Sequence, residues 1–290
     1  MQMNNAMASS IRNFRKFPVV SVSILLLVVV IPTFFPGLIA PHDPFEGSAM
    51  VRLMPPAWLE GGSWTYPFGT DRLGRDIFSR IVYGARYVFI ISLVSIFFGA
   101  VIGSGLGMAA GYFGGWVDAV VMRAVDVTFA LPSVLVGMAV ATIWPPSFYT
   151  VIAIIVFVIW SFFARQVRAE TLSLRERDFI HRAKVAGIGD FRIIMTHILP
   201  NVTNTIVVMA TLQIGVIIIL ESTLSFLGIG IPRPLPAWGL IVADGRALVI
   251  TAWWISFFPG VAILFVVLSV NLFGDWLRNR LDPKLRNVGG

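Results

Sequence analysis

Apolar residues in this chain come in long blocks, without the two-residue alternation of a half-buried strand: residues 19–38, 88–110, 124–143, 148–163, 202–229 and 254–273. A helix rising 1.5 Å per residue crosses the hydrocarbon core of a bilayer with about 20 such residues. Six blocks therefore predict an all-α integral membrane protein with six transmembrane helices. The polar stretches divide the rest: an N-terminal segment 1–18, a loop 39–87 and a tail 277–290. A core 88–276 holds helices 2–6 and a polar insertion at 164–201.

The blocks differ in ways that carry structure. Arg12, Arg15 and Lys16 precede the first, which reads either as a signal peptide or as a retained span. Its length and the poor cleavage site around Ala40 favour the span. Pro41, Pro44, Pro55, Pro56, Gly61 and Gly62 punctuate the following loop, and a helix is possible from about Arg75 to Arg86. The second block carries Gly99, Gly103, Gly105 and Gly107, a bare face suited to close packing within the chain, with a glycine-lined substrate path as the other reading. Pro132 predicts a kink in the third block, and Pro232, Pro234 and Pro236 stop the helix after the fifth.

Composition agrees with the blocks and settles the class. Hydrophobic residues make up 57% of the 290 and charged residues 13%, with a mean hydropathy of +0.84; soluble domains hold about 45–50% apolar residues. There is no cysteine, so neither disulfides nor thiolate metal sites exist. The net charge of +7 is no sign of nucleic acid here, because what matters is where the cations fall. With six spans, one side collects fifteen of the 22 Lys and Arg, including seven between 164 and 200. That side is expected to be cytoplasmic, together with both termini.

Candidate chemistry is sparse. No GxxxxGK[ST] phosphate loop occurs, and His42, His181 and His197 form no HExxH zinc pair. No nucleophile motif is recognisable, so the chain is read as a membrane protein and not an enzyme, with no metal site or cofactor of its own. Two acids fall inside apolar blocks, where charge is costly and faces a bundle interior or water. Asp126 is three residues from Arg123, and a structural pair is the favoured reading. Glu221 lies toward the far end of the fifth span. It either lines a path or bonds to Ser222 or Thr223.

The insertion at 164–201 is the polar heart of the chain. Residues 170–186 contain neither glycine nor proline, and Gly187 and Gly189 then supply a helix stop. Phe179, Ala183 and Ala186 recur at spacings of four and three, which predicts a docking face with a ring and two small seats. The competing reading is an amphipathic helix lying on anionic lipid.

Asp178, Phe179 and Ile180, then Ala183 and Gly187, then His197, Ile198, Leu199, Pro200 and Asn201 resemble the EAA loop of ABC-type importer permeases. Further motifs, Phe68, Gly69, Thr70 and Asp71 before Gly74, Arg75 and Asp76, and Leu224, Ser225, Phe226, Leu227 and Gly228 before Pro236, Trp238 and Gly239, are similar to the dipeptide/oligopeptide/nickel group, C-type subunit. The resemblance spans roughly residues 15–285 and implies a six-helix type I importer permease in a bacterial-type inner membrane. It implies a heterodimer with a second permease, two cytosolic ATPases that bind ATP and Mg, and an extracytoplasmic substrate-binding protein. The EAA loop would then dock on an ATPase through a coupling helix at 179–186, with Asp178, Phe179, Ile180, Arg182, Ala183, Ala186, Gly187, His197, Leu199 and Pro200 as coupling residues. Asp126, Glu221 and Ser222 remain as intramembrane polar candidates. Arg182 departs from the family, which usually has alanine there. Substrates of the group include peptides, nickel complexes, glutathione-like thiols and haem. An ion-coupled transporter and a non-transporting scaffold are the alternatives.

Overall fold

The computed structural model describes residues 18–281, and all its regular elements are helical. Helix α1 (Val19–Phe34) packs against the last helix of the chain; Val29 is buried and Leu25 and Val28 flank it. It ends at Phe35, short of residue 38, because Pro36 lacks the N–H that would continue the ladder; a separate turn, Pro36–Ile39, follows. Helix α2 (Ile77–Phe113) begins eleven residues before the apolar block does. Its start is set by Asp76, whose carboxylate accepts from the Ser79 N–H at 3.0 Å and the Ser79 hydroxyl at 2.6 Å. The possible helix near Arg75–Arg86 and the second span are thus one helix of 37 residues, about 55 Å long.

Gly114 and Gly115, both at positive φ, turn the chain into α3 (Gly115–Ala130). At Leu131 and Pro132 the helix breaks, and α4 (Ser133–Ile143) leaves at 92°. The proline expected to kink one span has divided it in two. Ser147 caps α5 (Phe148–Arg175), accepting from the Thr150 N–H at 3.1 Å. Then come α6 (Asp178–Val185), α7 (Asp190–Phe226), α8 (Trp238–Gly245) and α9 (Trp254–Leu281). Four helices, α2, α5, α7 and α9, are long and apolar enough to cross a membrane. The bent α3–α4 pair makes a fifth span if counted as one, and α1, at 16 residues, is shorter than a full span. By length and composition the described residues thus give four spans, or five with the bent pair counted as one, and α1 is a sixth, shorter apolar helix.

The α2–α5 contact is the spine of the bundle. A Cβ on Gly103 would lie 2.2 Å from the Trp160 carbonyl, on Gly107 2.5 Å from that of Ala164, and on Gly99 3.0 Å from Ile159. The bare face therefore serves packing between helices in the chain, where close backbone approach stands in for a hydrophobic drive in lipid. Gly105 is the exception and meets nothing. Three buried clusters follow one another along the bundle: Ile77, Ile81, Trp238 and Ile255 at one end, Ile91, Ile155, Ile217 and Leu224 in the middle, and Met108, Val167, Ile180 and Ile198 at the end that carries α6. At the end opposite α6, two buried indoles tie loops to helices. Trp238 donates to the Ile81 carbonyl at 2.9 Å and Trp254 to that of Thr70 at 3.1 Å.

Candidate functional site

Helix α6 sits at the elbow between two long helices, and its ends are built for a sharp turn. Asp178 opens it, an acid in the first turn where the helix dipole favours negative charge. At the other end Ile188 N–H donates to the Ala183 carbonyl at 3.1 Å and Gly187 N–H to that of Lys184 at 3.0 Å. This is the Schellman arrangement, and it requires Gly187 at φ +77°. The helix is one residue out of register with the expected 179–186.

Its faces are not those the spacing predicted. Ile180 and Ala183 are buried in the end cluster with Ile193 and Val167. Phe179 flanks them, its ring edge-on to His197 at 6.3 Å between centroids. The outward face holds His181, Arg182, Val185 and Ala186, with Val185 90% exposed. The proposed seat of Phe179, Ala183 and Ala186 is therefore divided: Ala183 turns inward because Ile180, three residues earlier, is the stronger apolar anchor and sets the rotation of the helix. Arg182 stands on the exposed face, clear of the packing beneath the helix.

Polar contacts strap the elbow to the α2–α3 turn. The Tyr112 hydroxyl donates to Asp190 at 2.6 Å, and the Lys184 ammonium lies 4.8 Å from the Tyr112 ring centroid. The Arg175 guanidinium donates to the carbonyls of Gly111 and Tyr112 at 3.3 and 3.4 Å. Arg168 forms a two-bond fork with Asp118, at 2.5 and 2.6 Å. None of these four partnerships was expected from the sequence. Tyr112 carries no motif of its own in the sequence, and ion pairs across helices have no signature along the chain.

Pro200 lies ten residues into α7. The residues just before it, Ile194–Ile198, are wound as a π-helix; a widened turn relieves the clash of the proline ring with the preceding carbonyl. Leu199 and His197 are half-buried beside it, and the Asn201 amide donates to the His197 carbonyl at 2.6 Å.

The intramembrane acids are placed differently from one another. Asp126 pairs with Arg165 of α5 at 2.7 Å, correcting the expected pairing with Arg123. Arg165 also lies 4.3 Å from the Phe129 ring centroid, and both charged groups are about half exposed. Glu221 is buried, accepts from the Ser225 hydroxyl at 2.7 Å and from Ser222 at 3.4 Å. Ser225 in turn accepts from the Ile231 N–H at 3.2 Å. The group thus ties the end of α7 to the loop that follows, and Ser225, not Thr223, is its main partner.

A second polar assembly occupies the far end. Asp71 accepts from the N–H groups of Leu73 and Arg75, at 2.8 and 3.0 Å, and from the guanidiniums of Arg75 and Arg80, at 2.8 and 2.5 Å. Burial pushes the Asp71 carboxyl up, but Arg80 and Arg75 outweigh it and hold it below the usual carboxylate range. The motif noted around Asp71 is thus the lock of a loop onto α2.

A model of the family described as binding-protein-dependent transport system inner membrane component matches residues 103–287. The chain belongs to that family. This permease is 37% identical to the di/tripeptide transport system permease protein DppC of Pseudomonas aeruginosa, over 91% of its own length and 88% of the relative's. It is 39% identical to the dipeptide transport system permease protein DppC of Alkalihalophilus pseudofirmus, over 94% and 87%. The glutathione transport system permease protein GsiD of Pectobacterium atrosepticum is 37% identical, over 95% and 90%. Among solved structures, a chain of the MetNI methionine ABC transporter in an inward-facing conformation superposes with a TM-score of 0.55 at 18% identity. That overlap covers 70% of the permease and 96% of the MetNI chain and shows the shared type I importer fold. The permease is a multi-pass membrane protein of a transport system.

Proposed function

We propose that this permease forms half of the translocation pathway of an ATP-driven importer of small peptides, and that α6 couples it to an ATPase. The observation that carries the coupling role is the split character of α6. Its inner face is anchored among residues of α2, α5 and α7, while its outer face offers Arg182 and a nearly bare Val185. A push on such a helix moves the ends of three long helices together, because Ile180 cannot shift without disturbing the close-packed cluster around it.

In this reading residues 164–201, together with segments 1–18 and 277–290, lie in the cytosol, and loop 39–87 lies outside. A second permease completes the pathway. Two ATPase subunits bind ATP and Mg, and an extracytoplasmic binding protein delivers the peptide. The permease holds no cofactor and performs no covalent step; closure of the ATPase pair rocks the helices between outward and inward openings. Relatives carrying peptides and glutathione support a peptide-like substrate. An ion-coupled transporter or a scaffold is disfavoured by family membership.

The test is Val185→Asp in the assembled complex, with assembly and peptide-stimulated ATP turnover both measured. Val185 has almost no contacts within the chain, so the fold should persist while turnover or assembly falls. Full assembly and unchanged stimulation would sink the coupling role.

A further inference from the structure

At the end opposite α6, between the loop around Asp71 and the segment from Arg233 to α8, lies a cavity of about 470 Å³. This is within the usual size range of ligand pockets, about 300–1,000 Å³. Four arginines, Arg72, Arg75, Arg233 and Arg246, line it against two aspartates, Asp71 and Asp244. The aspartates are already engaged. Asp71 holds Arg75 and the buried Arg80, and Asp244 holds Arg233 at 2.5 Å with Arg75 and Arg80 about 4 Å away, at 4.0 and 3.9 Å. Three arginines therefore share two carboxylates, and the other two have none. Arg72 contributes only its carbonyl, to Arg52, and the Arg246 guanidinium meets the Phe226 ring at 6.0 Å; among the described residues neither guanidinium has a hydrogen-bond acceptor. Leu73 and Ile255 supply apolar wall, which lowers the local dielectric and strengthens any ion bound there.

We propose that this cavity is a carboxylate subsite, with Arg72 and Arg246 as the groups that grip the ligand. A planar carboxylate suits a guanidinium fork, and two surplus cations in one concave site make an anion the fitting occupant. Asp71 and Asp244 hold Arg75 and Arg233 in ion pairs and fix the shape of the site. On the importer reading, on which this proposal rests, the cavity opens on the side from which substrate arrives. The carboxylate then comes either from the C-terminus of the peptide or from an acidic side chain of the delivering protein.

The experiment uses the complete complex in proteoliposomes, with trialanine and trialanine amide as probes. Arg72→Gln and Arg246→Gln are introduced singly and together; both residues are exposed and neither has an acceptor to lose. Initial uptake of each probe and the affinity of the binding protein for the complex are measured. If the peptide supplies the carboxylate, the preference for trialanine over its amide falls about tenfold, the size of one charge-assisted hydrogen bond, and binding-protein affinity stays constant. If the delivering protein supplies it, its affinity falls by a similar factor and both probes lose uptake equally. Unchanged preference together with unchanged affinity overturns the subsite. Failure of the unmodified complex to take up either probe overturns the peptide-importer reading instead, and the affinity measurement then decides the subsite alone.

Discussion

Tyr112→Phe isolates the strap between α6 and the α2–α3 turn. The substitution deletes only the hydroxyl, so the ring keeps its place in the end cluster and remains under the Lys184 ammonium. What is lost is the 2.6 Å bond to Asp190. A hydrogen bond to a charged acceptor contributes about 1.5–3 kcal/mol when buried. Asp190 is exposed and recovers water when released, which brings the expected loss down to about 1 kcal/mol. That corresponds to roughly fivefold more frequent opening of the turn between α6 and α7. The amides of Ile188 and Ile193, which donate to the carbonyls of Ala183 and Gly189, report that opening directly. Hydrogen exchange at these positions should quicken about fivefold, while amides in the middle of α5 stay unchanged. If the coupling role of α6 holds, peptide uptake per ATP hydrolysed falls as well. Exchange at 188 and 193 that matches the unmodified protein would show that the strap holds nothing, and the lever would have to be sought in the apolar contacts alone.

Ile180→Ala should destabilise the α6 end by about 2–5 kcal/mol, since it empties a fully buried site; thermal unfolding of the purified complex reads the loss. Gly187→Ala should cost about 1 kcal/mol from its left-handed backbone alone, because no atom lies within 4 Å of the added Cβ, and Gly187→Asn should recover part of it. Gly103→Ala should be far worse than Gly105→Ala, the first driving a methyl into the Trp160 carbonyl and the second meeting open space; yield of folded protein from membranes distinguishes them. The depressed Asp71 carboxyl contributes stability that is complete above the unfolded value of about 3.8 and disappears as pH falls through its lower folded value. Acid loosening of the loop around Asp71 should therefore begin only below about pH 4, and Asp71→Asn should loosen it at neutral pH and flatten the acid dependence. Limited proteolysis across pH measures both.

Block length and composition determined that this chain is a helical membrane protein, because the bilayer demands about 20 apolar residues per crossing wherever the helix packs. Glycine marked the helix stop at 187 and proline the bend at 132, since their backbone limits act locally. The motifs around Asp178, Asp71 and Leu224 pointed to the family by order alone. Tertiary structure decided the rest. The rotation of α6, which turns Ala183 in and Val185 out, depends on the cluster that receives Ile180, and no local spacing contains that cluster. The partner of Asp126 proved to be Arg165, 39 residues away, because proximity across two packed helices overrides proximity along one. The fusion of the stretch near Arg80 with the second span, and the gathering of Arg72, Arg233 and Arg246 around one cavity, follow from loops that meet only after the long helices have set their ends side by side.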